Sequence, residues 1–153
     1  MNSILIASDH AGFRLKQNLK PYLIKAGLRL KDLGTYSARR CDYPEFAYKL
    51  AKAISEGQYK QGILICKSGI GNSIVANRLP GVRAALCYNA KAAKLSREHN
   101  DSNVLVLGAA FVNEKVAKRI LGVWLKTPFA GGRHRRRLNQ LIKIEKEVRR
   151  RKR

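Results

Sequence analysis

The sequence predicts an α/β protein: one Rossmann-like domain in three layers, with a five-stranded parallel sheet between helices. Short apolar runs alternate with helix-like segments along the chain, as they do in parallel sheets covered by helices. The chain has 153 residues, 45% of them hydrophobic, which matches the size and apolar content of one ordinary domain. No internal repeat or low-complexity linker divides it, so we expect a single domain.

The five predicted strands are the apolar runs at residues 4–7, 28–33, 62–66, 82–87 and 104–107, and a helix-like segment follows each. In the first of these segments, residues 12–26, leucines repeat at the helical period and Gly27 follows as a C-cap. The second, residues 43–54, has Pro44 at a position where proline suits the first turn. The remaining predicted helices follow Cys66 as far as Arg78 and span residues 90–99 and 114–124.

A basic amphipathic helix is predicted at the end of the chain. Its apolar residues recur at helical spacing, and its outer face is rich in lysine and arginine; the apolar set is Leu138, Leu141, Ile142, Ile144 and Val148. We expect this helix to pack on a partner subunit and to be used in dimerisation. We therefore treat residues 1–132 as the α/β body and residues 133–153 as a basic helix and tail of the same domain.

The charge is unusually positive. The chain has 32 Lys and Arg against 10 Asp and Glu, a formal net charge of +22. Residues 133–153 alone contribute +9. Such a charge favours polyanions through counterion release, so nonspecific polyanion binding by the basic tail is one expectation. General compositional drift toward lysine and arginine is the competing explanation.

Several classes of protein are excluded by composition. No apolar run approaches the roughly 18 to 20 residues that a membrane span needs. Met1 leads directly into a strand-like segment rather than a signal peptide, so we expect a cytoplasmic protein without a membrane partner. The three cysteines, Cys41, Cys66 and Cys87, form no CxxC pair, which argues against a disulfide framework or a zinc site.

The most informative segment is residues 62–78, where an apolar strand leads into Cys66, a short glycine-bearing loop and a helix. Ligands of open α/β sheets bind beyond the carboxyl ends of the strands, and a loop that opens a helix offers N–H groups to an anion. The loop, residues 67–71, matches neither the Walker pattern nor a dinucleotide fingerprint. The segment therefore predicts a phosphate or enolate cradle beside a thiol, although a cysteine that ends a strand is more often a small buried hydrophobe.

Other polar residues lie near predicted strand ends, and we expect them at the same end of the sheet. They are Ser8, Asp9 and His10 after the first strand, Cys66 and Ser68 after the third, and Ser102 and Asn103 just before the fifth. His99 ends a predicted helix, whose carboxyl terminus would favour its protonated form. Arg133 and Arg137 are four residues apart, so they share one helix face and could grip a phosphate. Simple solvent exposure is the alternative for all three.

Six ordered blocks resemble type B ribose-5-phosphate isomerases and the related galactose-6-phosphate isomerase subunits. The blocks are SDHAG at 8–12, DYP at 42–44, ILICKSGIGNSIVANR at 63–78, GVRAALC at 81–87, LSREHNDSNVLVLG at 95–108 and GGRHRRR at 131–137. The resemblance runs nearly from end to end. It implies an aldose–ketose isomerisation of the pentose phosphate pathway, through a cis-enediolate and without a metal or cofactor.

By this resemblance, the Cys66 thiolate moves the proton from C2 to C1 and Ser68 assists proton transfer between O1 and O2. Backbone N–H groups would hold the enediolate charge; they belong to Ser68, Gly69, Ile70 and Gly71. His99, with Asp9 nearby, would open the sugar ring. Asn100 and Tyr43 would contact hydroxyls. His10, Arg133 and Arg137 would bind the phosphate, with the arginines contributed by a neighbouring subunit of a homodimer or homotetramer with shared active sites.

Two positions depart from the family pattern. Lys67 stands where the family usually has glycine, and Ala110 where it commonly has a substrate-binding arginine. Lysine would strain the loop if its backbone needs a positive φ, or it would lower the pKa of Cys66 by its charge. We expect Lys67, or an arginine of the tail, to replace the missing cationic contact.

Three functions are therefore compatible with the sequence. The first is interconversion of ribose 5-phosphate and ribulose 5-phosphate, with Cys66 as the base. The second is isomerisation of a six-carbon substrate such as galactose or allose 6-phosphate. The third is nucleic-acid binding on a degenerate isomerase scaffold, which the charge, Lys67 and Ala110 favour.

Overall fold

The computed structural model describes residues 3–151 as five strands and six helices. The strands are β1 (Ser3–Ser8), β2 (Arg29–Asp32), β3 (Gly62–Cys66), β4 (Ala84–Leu86) and β5 (Val104–Gly108). The helices are α1 (His10–Lys25), α2 (Tyr43–Ser55), α3 (Ile70–Ala76), α4 (Ala90–Asn100), α5 (Glu114–Lys126) and α6 (Arg133–Arg150). Every predicted strand and helix is therefore confirmed, with boundaries that differ by a few residues.

The strands form one parallel sheet in the order β2-β1-β3-β5-β4. The chain moves outward from β1 to β2 and then crosses back to place β3 on the other side of β1. This reversal opens a crevice between the carboxyl ends of β1 and β3, the position at which doubly wound sheets bind ligands.

Helices cover both faces of the sheet, which explains why the central strands are apolar without interruption. One hydrophobic cluster joins β1, β3 and β5 to α1 and α5 and includes Trp124. The other joins the opposite face of the same strands to α2 and includes Leu50 and Leu64. The predicted three-layer α/β architecture is confirmed.

The edge strand β4 is shorter than predicted. We expected residues 82–87, but Val82 lies in a turn, where its N–H bonds to the carbonyl of Leu79 at 3.2 Å. The side chain of Asn103 accepts the N–H of Arg83 at 2.8 Å. Because these contacts take the backbone donors of residues 82 and 83, only three residues join the sheet.

The basic helix α6 packs against α4 and against the turn before β4. His134 and Leu138 are its buried residues, and Glu145 accepts the N–H of Gly81 at 2.9 Å. That residues 133–153 extend the same domain stays a prediction, and residues 152–153 lie outside the described part of the chain. Within residues 3–151, no helix is both long and apolar enough to cross a bilayer.

Candidate active site

The crevice between β1 and β3 contains the first group of predicted site residues. Asp9 directly follows β1 and caps α1: its Oδ1 accepts the N–H of Gly12 at 2.9 Å. Gly12 is needed here because a Cβ would lie 2.4 Å from the carbonyl oxygen of Ile65. The start of α1 is thereby pressed against the end of β3, which brings Asp9 next to Cys66.

Cys66 is the last residue of β3 and is 3% exposed. Burial raises the pKa of its thiol above the ordinary value, and the negative charge of Asp9 raises it further. Backbone N–H groups of Gly69, Asn72 and Ser68 act in the opposite direction. The thiol is therefore an ionisable group in a low-dielectric site, with donors arranged to stabilise its thiolate.

The loop after Cys66 directs its backbone donors differently from the prediction. We expected the N–H groups of residues 68–71 to face a substrate anion. Instead, the N–H of Gly69 donates to Cys66 Sγ at 3.1 Å, and that of Ile70 donates to Ser68 Oγ at 3.2 Å. Two of the four donors are thus engaged within the loop, because the loop curls around the sulfur.

Glycine is required at two places in this loop. Gly69 has φ +82°, and a Cβ on it would lie 2.4 Å from Leu86 Cδ1. A Cβ on Gly71 would lie 2.4 Å from Cζ of Tyr43. The Tyr43 ring, at the start of α2, therefore rests directly on the loop that surrounds Cys66, which places it within the candidate site.

His10 lies on the same side of the crevice. Its Nδ1 is 3.2 Å from the backbone nitrogen of Cys41 and 3.1 Å from the Cys41 carbonyl oxygen. Only one of these contacts is a hydrogen bond in a given tautomer. Since Cys41 occupies Nδ1 in either case, Nε2 is the ring nitrogen that can reach a ligand.

Lys67 causes no backbone strain. Among the non-glycine residues of the described chain, only Asp101 has a positive φ, so the strain considered from the sequence is absent. The pKa of Cys66 is raised rather than lowered, so the opposite expectation is not met either. Lys67 is exposed, and its carbonyl accepts the N–H of Ala110 at 2.9 Å, which puts the two departing positions side by side.

The second group of predicted residues lies at the opposite end of the sheet, where the strands begin. The helix α4 runs back from the carboxyl end of β4 to the amino end of β5, so His99 and Asn100 lie near the strand starts. The carbonyl of Asn103 accepts the N–H of Gly62, the first residue of β3. The expectation that Ser102 and Asn103 share the Cys66 end of the sheet is therefore wrong.

The separation is large on the scale of a sugar phosphate. Gly62 and Cys66 are the two ends of β3, and four residue steps of about 3.3 Å each correspond to roughly 13 Å. Within one chain, His99 is therefore not near Asp9, contrary to expectation. A residue that follows a parallel strand lies at the carboxyl end of the sheet, whereas a residue that precedes a strand lies at the amino end. The sequence interpretation treated these two positions as one end.

The amino end of the sheet carries an organised cationic site of its own. The rings of His99 and His134 stack, with centroids 4.1 Å apart and planes 11° from parallel. Burial lowers the pKa of His134, and the charges of His99, Arg133 and Arg137 lower it further. These four residues thus form a group with several donors for an anion.

Two residues beside Cys66 escaped the sequence interpretation. The hydroxyl of Tyr88 donates to the carbonyl of Ser68 at 2.9 Å, and its ring stacks on Phe111 with centroids 5.0 Å apart. Tyr88 follows β4, and an aromatic residue just past a strand's carboxyl end is the pattern that could have revealed it. Asn72 is 1% exposed, and its Oδ1 has no hydrogen-bond partner among the described residues.

A metal-binding arrangement was not expected. In residues 3–151, no three His, Cys, Asp or Glu side chains come together as a group that could hold a metal ion.

Comparison with known proteins shows consistent similarity. A family model described as Ribose/Galactose Isomerase matches residues 4–141. Ribose-5-phosphate isomerase B of Escherichia coli (strain K12) is 42% identical over 95% of this chain and 97% of its own length. A solved Clostridium thermocellum Ribose-5-Phosphate Isomerase B is 44% identical, with a TM-score of 0.93 over 95% of this chain and 99% of that one. The Mycoplasma genitalium enzyme, solved with bound ribulose-5-phosphate, is 40% identical, with a TM-score of 0.90 over 95% and 97%.

Proposed function

The chain belongs to the ribose/galactose isomerase family, and we propose that it interconverts ribose 5-phosphate and ribulose 5-phosphate through a cis-enediolate, with Cys66 as the base. The observation that supports this most directly is the environment of Cys66. A buried thiol lies at a strand's carboxyl end, with Asp9 beside it and the N–H of Gly69 donating to the sulfur at 3.1 Å.

The chemistry follows from this environment. The Cys66 thiolate removes the proton from C2, and the electron pair of the broken C2–H bond forms the C1–C2 double bond of the enediolate while the carbonyl π pair moves to O1. The thiol then returns the proton to C1 with the double-bond pair, and C2–O2 becomes the new carbonyl. Ser68 moves the hydroxyl proton between O1 and O2. Because burial raises the pKa of Cys66, the N–H donors of the loop are needed to make the thiolate accessible. Gly71 N–H has no acceptor within residues 3–151, so it is the donor we assign to the enediolate oxygen.

The remaining substrate contacts require a second copy of the chain. Tyr43, at the same end of the sheet as Cys66, contacts a sugar hydroxyl, and His10 binds the phosphate through Nε2. Four predicted contact residues lie at the amino end of the sheet, far from Cys66 in the same chain: His99, Asn100, Arg133 and Arg137. In this proposal, a partner subunit contributes them to the site through an interface. There His99 opens the furanose ring together with Asp9 of the first subunit.

The helix α6 is the surface we assign to that interface. Its apolar residues Leu141, Ile144 and Val148 are 51%, 58% and 51% exposed in the single chain. An apolar stripe this exposed on a soluble surface indicates a partner contact. A dimer is the smallest assembly that completes the site, and a tetramer of two such dimers satisfies it equally.

Conversion of ribose 5-phosphate by the purified protein is the test of this function. We expect Cys66→Ala to abolish conversion. Cys87→Ala is the matched control, because it removes the same sulfur atom from a second buried cysteine, which lies in the hydrophobic core. Full activity in Cys66→Ala, or no conversion by the unmodified protein, would contradict the proposal. Parallel assays on galactose and allose 6-phosphate decide between five-carbon and six-carbon substrates.

Polyanion binding is a second property that one observation favours. Arg136, Lys143 and Arg150 are exposed and seven residues apart, so they form a basic line on the face of α6 away from Leu138. We expect weak RNA binding that falls steeply with salt. Binding with normal isomerase activity would make it an added property. Salt-dependent binding without any conversion would favour the degenerate-scaffold alternative, and its cytoplasmic location stays a prediction in either case.

A further inference from the structure

Lys16 is a buried charged residue with no part in the proposed chemistry. It lies on α1 with a side chain that is 0% exposed. Burying an ammonium group is costly unless it is paired and hydrogen-bonded. Its Nζ donates to Asp32 Oδ1 and to the carbonyl oxygen of Thr35, each at 2.6 Å. The Phe13 and Tyr36 rings lie 5.8 and 5.5 Å away and complete its surroundings.

The partners of Lys16 belong to a tightly bonded segment that begins with Asp32, the last residue of β2. Asp32 also accepts the N–H of Gly34 at 2.9 Å and the Nζ of Lys20 at 3.0 Å. The Tyr36 hydroxyl donates to the carbonyl of Asp32 at 3.0 Å. Lys16 is the contact that ties this segment to α1 from inside the protein, whereas Lys20 binds from its partly exposed side.

The same segment begins the loop that reaches the candidate site. Gly34 accepts the N–H of Ser8 at 2.7 Å, and Thr35 donates to the carbonyl of Ser8 at 2.6 Å, so the loop starts beside Asp9. At its far end, the backbone of Cys41 contacts the His10 ring. Two residues later, Tyr43 lies against Gly71.

We propose that Lys16 is a positioning residue, which fixes residues 33–42 and through them holds His10 and Tyr43 in the substrate-binding geometry. This inference rests on the proposed function, because it assumes that these two residues contact the sugar phosphate. Lys16 touches neither the substrate nor Cys66. Its loss should therefore weaken substrate binding more than it slows proton transfer.

The test compares Lys16→Met with Lys20→Met in the full-length protein. Each variant removes one positive charge near Asp32, and within residues 3–151 only Lys16 of the two also donates to Thr35, so the pair isolates the buried contact. For Lys16→Met we expect KM for ribose 5-phosphate to rise about tenfold or more, with kcat within about threefold. For Lys20→Met we expect both constants to stay within about twofold. Equal KM in the two variants, or a loss of kcat without a rise in KM, would overturn the proposal.

A second measurement does not depend on isomerase activity. Amide hydrogen exchange should become faster in residues 33–42 of Lys16→Met, while α5 keeps its protection. Unchanged exchange in that loop would also overturn the proposal, even if the unmodified protein proved inactive and the proposed function failed. If Lys16→Met does not fold, Asp32→Asn weakens the same contact while keeping an acceptor oxygen. There, too, we expect a raised KM and faster loop exchange, and the absence of both would refute the inference.

Discussion

Two variants that are inactive alone should restore activity when they are combined in one dimer. The variants are Cys66→Ala and His99→Ala. In a heterodimer, one site combines both altered residues. The other combines the intact Cys66 of one copy with the intact His99 of its partner. One site of two is then complete, so we expect about half of the unmodified activity from purified heterodimers, by the two-fold symmetry of the proposed interface.

The recovery is expected because the two residues are far apart within a chain. His99 lies near the start of β3 and Cys66 at its end, roughly 13 Å apart along the strand. A proton donor must be within hydrogen-bond reach of the group it serves. A site made within one chain would therefore leave every site of the heterodimer with one alteration and give no recovery.

The assay uses two differently tagged copies, purified for both tags, and follows ribose 5-phosphate conversion. The matched control pairs Cys66→Ala with Ser68→Ala. Because Cys66 and Ser68 of one chain serve the same site at the carboxyl end of the sheet, each site of that heterodimer carries one alteration. Recovery in the control, or none in the Cys66 and His99 pair, would refute the shared site.

Three further predictions concern stability and ionisation. Gly108→Ala should destabilise the fold by about 2 to 3 kcal/mol in urea unfolding, since its Cβ would lie 2.3 Å from the Ser68 carbonyl oxygen. Gly57→Ala, where φ is +74° and the space is open, should cost about 1 kcal/mol; equal losses would contradict the clash. Iodoacetamide should modify Cys66 ever faster as pH rises past 9.0, because its pKa is raised above that value, and a plateau below pH 9 would be incompatible with this. Because the pKa of His134 is lowered in the folded protein, the unfolded chain binds its proton first, so stability should fall as pH drops below about 6.5; His134→Gln should lessen that fall, and an unchanged slope would refute the assignment.

The local features of the fold were predictable because they are written in neighbouring residues. The apolar runs of β1, β3 and β5 and the helical period of α1 depend on spacing within a few positions. Cys66 at a strand end follows from the same local patterns. The resemblance in six blocks extended this to the family, which the comparisons confirm.

The side-chain environments were not predictable in this way. Nothing near Lys16 in the sequence indicates that it is fully buried, because its partners Asp32 and Thr35 lie 16 and 19 residues away. The N–H groups after Cys66 were expected to face a substrate. The N–H of Gly69 faces the sulfur and that of Ile70 faces Ser68 Oγ, because Gly69 adopts a positive φ and curls the loop.

The sequence by itself determined the fold class, the strand that ends in Cys66 and the set of residues available for chemistry, since each depends on local pattern or on family resemblance. Only the tertiary structure decided which of these residues meet. The helix α4 runs back along the sheet, so His99 and Asn100 lie at the amino end of the sheet, opposite to Cys66 at the carboxyl end. The physical reason is that the helix after a parallel strand runs back in the opposite direction. A residue that precedes a strand and a residue that follows one therefore lie at opposite ends of the sheet, separated by the length of a strand.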